Sequence, residues 1–231
     1  MPIEMYDLAG GDGSIRFSPY CWRIRMALAH KGLDVKTIPV RFMEKEKLAF
    51  SGQKLVPVIR DGEKVVSDSW TIAKYLEETY ASRPSLFPGA DAMALTNFIR
   101  NWTQARLTMP ILRAVLMDLV DTIDPGDRDY FRTSREARFG KKLEEVAAPE
   151  AEARAALKAE LGPMRDTLKD QPFLNGAAPA YADYCVFGTF MWARGVSAKQ
   201  LLDADDPVYA WRERMLDAHG AVARNAAGRG K

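Results

Sequence analysis

Between residues 81 and 91 the chain reads ASRPSLFPGAD, and this stretch of two prolines and a glycine separates segments with different hydrophobic rhythms. Ahead of it, strand-like and helix-like patterns alternate. Ile3 to Leu8 reads as a strand, Ser18 to Lys31 as a helix stopped by Gly32, and Asp34 to Val40 as a second strand. A charged segment, Phe42 to Phe50, comes next. The short apolar runs Val56 to Ile59 and Lys64 to Val66 then flank Asp61-Gly62, a hairpin-turn signal, and Ser69 to Tyr80 reads as a helix. A βαβ unit followed by ββα predicts a small α/β sandwich.

Beyond the linker only helical spacing persists. From Ala92, apolar residues recur at three and four through Leu119, which predicts one long helix with a kink at Pro110. Arg128 to Val146 (interrupted near Gly140) and Ala151 to Lys169 read as charge-laced helices. Ala180 to Arg194 is more apolar and central, and Pro207 to His219 is a last amphipathic helix. The expected organisation is residues 1–82 as an α/β domain, 83–91 as a linker, 92–221 as an all-helical domain, and 222–231 as a mobile basic tail.

Composition narrows the function classes. The 33 Lys and Arg nearly cancel the 31 Asp and Glu over 231 residues, so no strong field points to nucleic acid or an anionic membrane. No apolar run approaches the ~18 residues of a membrane span, and MPIEMYDL has no leader pattern, so a cytoplasmic protein is expected. Two cysteines and two histidines are too few for a disulfide framework or a zinc site, and metal catalysis is not expected.

Three local signals carry chemistry. Ser18-Pro19 writes the first turn of a helix: Ser18 suits the N-cap and Pro19 the first helical position. Coming just after a strand, that helix start offers unpaired N–H groups and a positive dipole end to a thiolate, phosphate or carboxylate. Ser18 also serves as a plain cap, and taken alone that reading outweighs the other. Val56-Pro57 opens a strand with a residue that cannot donate to a ladder; it fits a cis bond and a sheet edge to which a peptide could add, or an ordinary loop-to-strand proline. Asp68-Ser69 opens the second predicted helix, where the two side chains could hold a ligand's charged ends or simply cap.

The order of these signals (strand, Ser-Pro-x-Cys helix, Val-Pro, hairpin, Asp-Ser helix, linker, helical domain) resembles the cytosolic glutathione transferase family, serine type. The resemblance spans the chain and is strongest from Ile3 to Tyr80. It implies a thioredoxin-like α/β domain that binds glutathione as co-substrate, an all-α domain that supplies the second-substrate pocket, and a homodimer. It places Ser18 at the glutathione sulfur, the Val56 backbone on the tripeptide, Pro57 as its cis-proline, and Asp68 and Ser69 at the γ-glutamyl end. Asn175-Gly176 and Ala182-Asp183 resemble the family's buried turn and capping motif. Tyr6-Asp7-Leu8, Ser18-Pro19-Tyr20, Trp22-Arg23, Ala27 to Gly32, Asp68-Ser69-Trp70 and Tyr181 to Tyr184 further resemble the bacterial β-etherase branch and its fungal relatives, which use glutathione to open aryl ether bonds of lignin-derived aromatics.

Two departures stand out. Leu55 replaces the Gln common before Val-Pro, which turns attention to Lys54 for the glycine end. Ala180 replaces the usual Ser or Thr cap, a loss of about 1 kcal/mol. A small-molecule electrophile, aromatic in character, is the expected second substrate, with Tyr20, Trp102, Tyr184 and Trp192 as candidate pocket residues that equally suit a core. Cys21, three after Ser18, sits where a redox Cys-x-x-Cys has its second thiol; with the attacking position now serine, it reads as core. The competing functions on this fold are a cis-trans isomerase of small dicarboxylates, which would need cations in the second pocket, and a non-catalytic carrier of aromatic ligands.

Overall fold

β1 (Ile3–Leu8) is the strand on which the first half of the molecule is assembled. β2 (Val35–Val40) runs parallel to it, β3 (Val58–Asp61) antiparallel, and β4 (Lys64–Ser67) returns through a tight turn to give the order β2-β1-β3-β4. Gly62 has φ +59°, the conformation a two-residue hairpin turn needs. The computed structural model describes residues 2–230. Pro39 is tolerated within β2 because that strand is at the edge.

Side-chain alternation decides which face is covered. Ile3, Met5, Ile59 and Val66 enter one core with α1 (Pro19–His30) and α2 (Ser69–Thr79). Val40, Leu48 and Val58 form a smaller cluster beneath a 3₁₀ segment, Lys45–Ser51, with Tyr6, Val56 and Val65 packed against it. By this alternation Asp7 falls on the α1 side together with Ile3 and Met5, and it is fully buried there.

The second half is helical throughout. α3 (Ala92–Trp102) and α4 (Thr108–Thr122) are continuous through Thr103–Leu107, which is wound as a π-helix. The irregularity expected at Pro110 therefore lies just upstream of it, as this wide turn. A proline ring crowds the carbonyl four residues before it, here Arg106, and the wide turn relieves that clash while the helix continues through the proline. α5 (Arg128–Phe139) ends on Gly140 at φ +66°, and the short α6 (Leu143–Val146) follows. The single helix expected over residues 151–169 is two, α7 (Glu150–Glu160) and α8 (Gly162–Asp170), broken at Leu161 just ahead of Gly162-Pro163.

α9 (Tyr181–Val196) is buried on nearly all sides and packs along α1. Gly188 and Gly195 make that approach possible: a Cβ at 188 would lie 2.3 Å from the Pro19 carbonyl oxygen, and one at 195 would lie 3.1 Å from Phe17 Cβ. At the start of α9 the Asp183 carboxylate accepts from the N–H groups of Leu174 (2.7 Å), Asn175 (3.2 Å) and Ala180 (3.2 Å) and from Trp211 Nε1 (2.9 Å). The half of the capping box that Ala180 cannot make is thus offset by four donors converging on one buried group.

α10 (Pro207–Ala221) leaves helical geometry at Ala218, His219 and Gly220. The tail beyond it, expected to be mobile, is packed as far as Gly230, and Lys231 lies outside the described residues. Gly230 N–H donates to the Arg194 carbonyl (2.8 Å), Arg229 N–H to that of Gly195 (3.2 Å), and Ala223 is fully buried. The last carbonyls of α9 have no partners within the helix, and the tail's N–H groups supply them. Gly228 and Gly230 allow the close approach, since a Cβ on either would meet a backbone oxygen at 2.8 Å. No helix among the described residues is long and apolar enough to cross a membrane.

Candidate active site

The loop after β1 is closed by a bridge between Ala9 and Arg16 and delivers the chain into α1 at Ser18. Trp22 Nε1–H donates to the Arg16 carbonyl (2.7 Å) and pins the entry. Ser18 has extended dihedrals, φ −61° and ψ 124°, and its Oγ accepts from Cys21 N–H at 3.3 Å with Pro19 at the first helical position. Because Oγ is the acceptor in that bond, its own proton remains available to a ligand. Ser18 is only 4% exposed, yet it lines a cavity of about 420 Å³.

That cavity lies between the two halves of the chain. The first half contributes Leu8, Phe17, Ser18, Tyr20 and Phe42, and the second contributes Gln104, Leu112, Phe131, Phe139 and Trp192. The walls are apolar and aromatic. Its charged lining is one-sided among the described residues, with Arg41, Lys45, Lys54, Arg135 and Arg138 present and no Asp or Glu. Tyr20 donates its hydroxyl to Gln104 Oε1 (2.5 Å), a bond that ties the first turn of α1 to the π-helical turn.

The Val56-Pro57 bond is cis, and Val56, Leu55 and Lys54 lie along the cavity. Leu55 is 79% exposed at that margin. Asp68, not Ser69, is the N-cap of α2: its Oδ1 accepts from Trp70 N–H (3.1 Å), Thr71 N–H (3.0 Å) and the Thr71 hydroxyl (3.2 Å). Asp68 holds φ +71°, an unusual conformation for a non-glycine residue and one that clusters at ligand sites. Ser69 is buried, and its carbonyl accepts the Tyr181 hydroxyl at 2.7 Å, so it also joins the two halves. Neither Asp68 nor Ser69 lines the cavity.

Of the four aromatic residues expected around a second pocket, Tyr20 and Trp192 line the cavity and two do not. Tyr184 is fully buried on another side of α9, where its hydroxyl lies 2.6 Å from both His30 Nδ1 and His219 Nε2. A buried phenol must find polar partners, and the two imidazoles drew it away from the cavity. Trp102 packs on the main core at the end of α3. The expectation for Tyr184 and Trp102 is corrected accordingly.

The residues that sequence reasoning passed over are Phe42, Lys45, Tyr130 and the stripe Phe131, Arg135 and Phe139. The four-residue spacing of that stripe on α5 was the available signal, since two aromatics bracket a cation on one helix face. Cys21 is fully buried, and burial followed by the nearby Asp7 charge pushes its thiol well above the ordinary range. It is no nucleophile at neutral pH.

Residues 14–84 match the family model for the glutathione S-transferase N-terminal domain, and residues 94–215 match that for the C-terminal domain. A crystal structure of a glutathione transferase from Phanerochaete chrysosporium superposes with a TM-score of 0.78 at 28% identity, covering 97% of this chain and 94% of that one. A glutathione S-transferase of Ceriporiopsis subvermispora, crystallised in complex with glutathione, superposes with a TM-score of 0.76 at 25% identity, covering 97% and 96%. Among sequence relatives, a zeta-class glutathione S-transferase of Euphorbia esula is 41% identical over 112 residues, which span 46% of this chain and half of that protein. A probable glutathione S-transferase of Oryza sativa is 27% identical over 211 residues, which span 86% of this chain and 80% of that protein. With both domain models matched in order on either side of the linker, and a serine-capped helix opening onto the cavity between them, this chain belongs to the glutathione S-transferase family.

Proposed function

We propose that the chain binds glutathione with its sulfur at Ser18 and adds it to an aromatic electrophile seated in the cavity. The observation that carries this reading is the Ser18 hydroxyl, whose proton is uncommitted where α1 opens onto an apolar, cation-lined space. The residues present fit the tripeptide. Lys54 is a cation beside Val56 for a terminal carboxylate, Val56 presents backbone at a strand margin beside the cis-proline, and Asp68 Oδ2 is left over from capping for an ammonium.

Glutathione supplies a thiol with a pKa near that of free cysteine, mostly protonated at neutral pH. Ser18 donates to the sulfur and so favours the anion, and the first turn of α1 adds the field of its dipole. The aromatic walls take the electrophile's ring and exclude water. For an aryl ether substrate, the C–S bond forms as the C–O bond breaks and an aryloxide leaves with the electron pair.

Ser18→Ala should retain binding to immobilised glutathione while kcat/KM for 1-chloro-2,4-dinitrobenzene falls about 10- to 100-fold, the value of one hydrogen bond to a charged group. An unchanged rate would overturn the assignment. The same assay with a fluorogenic β-aryl ether decides whether ether cleavage belongs to the reaction. One observation favours a second reading, isomerisation of a small cis-dicarboxylate: the cavity holds the cations such a substrate requires. Glutathione-dependent conversion of maleate to fumarate, followed by NMR, would support that reading, and absence of conversion would remove it.

A further inference from the structure

The cavity's cations are not equivalent. Arg41 is committed, with Nη1 3.2 Å from Asp124 and Nη2 donating to the Gly11 carbonyl at 2.6 Å. Lys45 Nζ donates to the Tyr130 hydroxyl (3.2 Å) and sits 4.4 Å from the centre of that ring. Lys54 and Arg138 are exposed. Lys45 and Arg135 are both half-buried and without a carboxylate partner among the described residues, and of the two only Arg135 carries a planar guanidinium fork. Its guanidinium lies 4.8 Å from the ring centre of Phe131 and 5.3 Å from that of Phe42, and it donates to the Ser134 hydroxyl at 2.9 Å.

We propose that Arg135 anchors an anionic group, a carboxylate, carried on the aromatic second substrate. The proposal rests on the reading of the cavity as the second-substrate site. A guanidinium that has given up part of its hydration without gaining a counter-ion leaves a place that an anion fills favourably, and its planar fork matches a carboxylate with two parallel hydrogen bonds. Tyr130 and Arg138 are the ionisable groups that face it, and burial followed by Arg138 lowers its basicity against the pull of Tyr130; no acid contributes. The local excess of cations is a property of the cavity and not of the chain, whose charges nearly cancel. Phe42 and Phe131 supply the aromatic half of the recognition: a ring can lie against them with its carboxylate at the fork. Since α5 belongs to the second half and Ser18 to the first, the anion and the carbon under attack are held from different walls, a means of orienting the electrophile.

The test uses a matched pair of probes, 4-(chloromethyl)benzoate and its methyl ester, each conjugated to glutathione, with the spontaneous rate subtracted. In the wild type, kcat/KM for the acid should exceed that for the ester at least tenfold. Arg135→Gln should lower the acid's kcat/KM at least tenfold while the ester's value and the KM for glutathione stay within twofold, and Arg135→Lys should restore part of the loss. If acid and ester fall together, or if the KM for glutathione rises while the acid's preference persists, Arg135 has another role and the proposal is overturned. If the wild type conjugates neither probe, the transferase reading fails by itself. Quenching of tryptophan fluorescence by 4-methylbenzoate against its methyl ester then decides: acid binding lost in Arg135→Gln supports the anchor, and equal binding of both probes ends it.

Discussion

Asp7 is a carboxyl group placed where the β1 alternation demands an apolar side chain, in line with Ile3 and Met5 and fully buried beneath α1. Among the described residues neither oxygen has a well-formed hydrogen bond, and the cation paired with it is Arg25, with Nη1 at 3.8 Å. Burial therefore holds the carboxyl above its ordinary range, against the opposing pull of Arg25 and then Arg16. The consequence has a definite sign. A carboxyl whose folded pKa is raised binds its proton more tightly in the folded chain, so stability declines as pH rises from the unfolded value near 4 through the folded one. Asp7→Asn removes the charge without changing shape. Thermal unfolding should show the variant and the wild type alike near pH 4 and the variant more stable at pH 8, by on the order of 1–2 kcal/mol. A variant less stable than the wild type at pH 8 would instead show that the Arg25 pairing outweighs burial.

Ser18 is positioned by one helix lying against another. Gly188 and Gly195 are seven residues apart, two turns along one face of α9, and α1 approaches that face at Phe17 and Pro19. Gly188→Ala would bring a methyl to 2.3 Å from the Pro19 carbonyl oxygen, a backbone atom, so the start of α1 must move. Melting should show a loss of about 1–3 kcal/mol. Conjugation kcat/KM should fall about tenfold or more, because sub-ångström displacement at a reacting centre is costly. Gly162→Ala is the control, since a Cβ there meets nothing within 4 Å. This contact also marks what was legible in the sequence. Capping is local chemistry, so Ser18-Pro19, the Asp61-Gly62 turn and the Gly140 stop could be read directly. Direction is not local: the spacing in α9 shows that Tyr184 is buried, but only His30 and His219, distant in sequence, determine toward what. Arg135 was hidden for a related reason, because a cation on a charge-laced helix reads as a solvated face until Phe42 arrives from another element. The tail escaped in the same way, its partners being the last carbonyls of a helix some thirty residues earlier.

The two halves of the molecule are joined on the side away from Ser18 by a polar contact that acid should loosen. His30 ends α1, Tyr184 lies in α9, and His219 sits in the break of α10, with one phenolic oxygen 2.6 Å from an imidazole nitrogen of each. That oxygen carries a single proton. It donates to one ring and accepts an N–H from the other, an arrangement that exists only while the accepting imidazole is neutral. Burial, then His219 and Lys31, lower the His30 pKa to about 4 against the opposing Glu77, and burial lowers that of His219. With folded pKa values below the unfolded value near 6.5, the unfolded chain takes up protons first, so the contribution is complete above that value and is lost as pH falls toward 4. Both rings are partly open to water, so the effect is on the order of 1–2 kcal/mol after discounting for screening. Melting temperature should therefore decline between pH 7 and pH 4.5, and His30→Gln, which keeps a hydrogen-bonding side chain that cannot be charged, should show a shallower decline. Carboxylates with lowered pKa values elsewhere, Glu77 and Glu44 among them, add to the acid loss in both proteins. The difference between the two curves is therefore the quantity that isolates the histidine, and parallel curves would show that the junction does not sense pH.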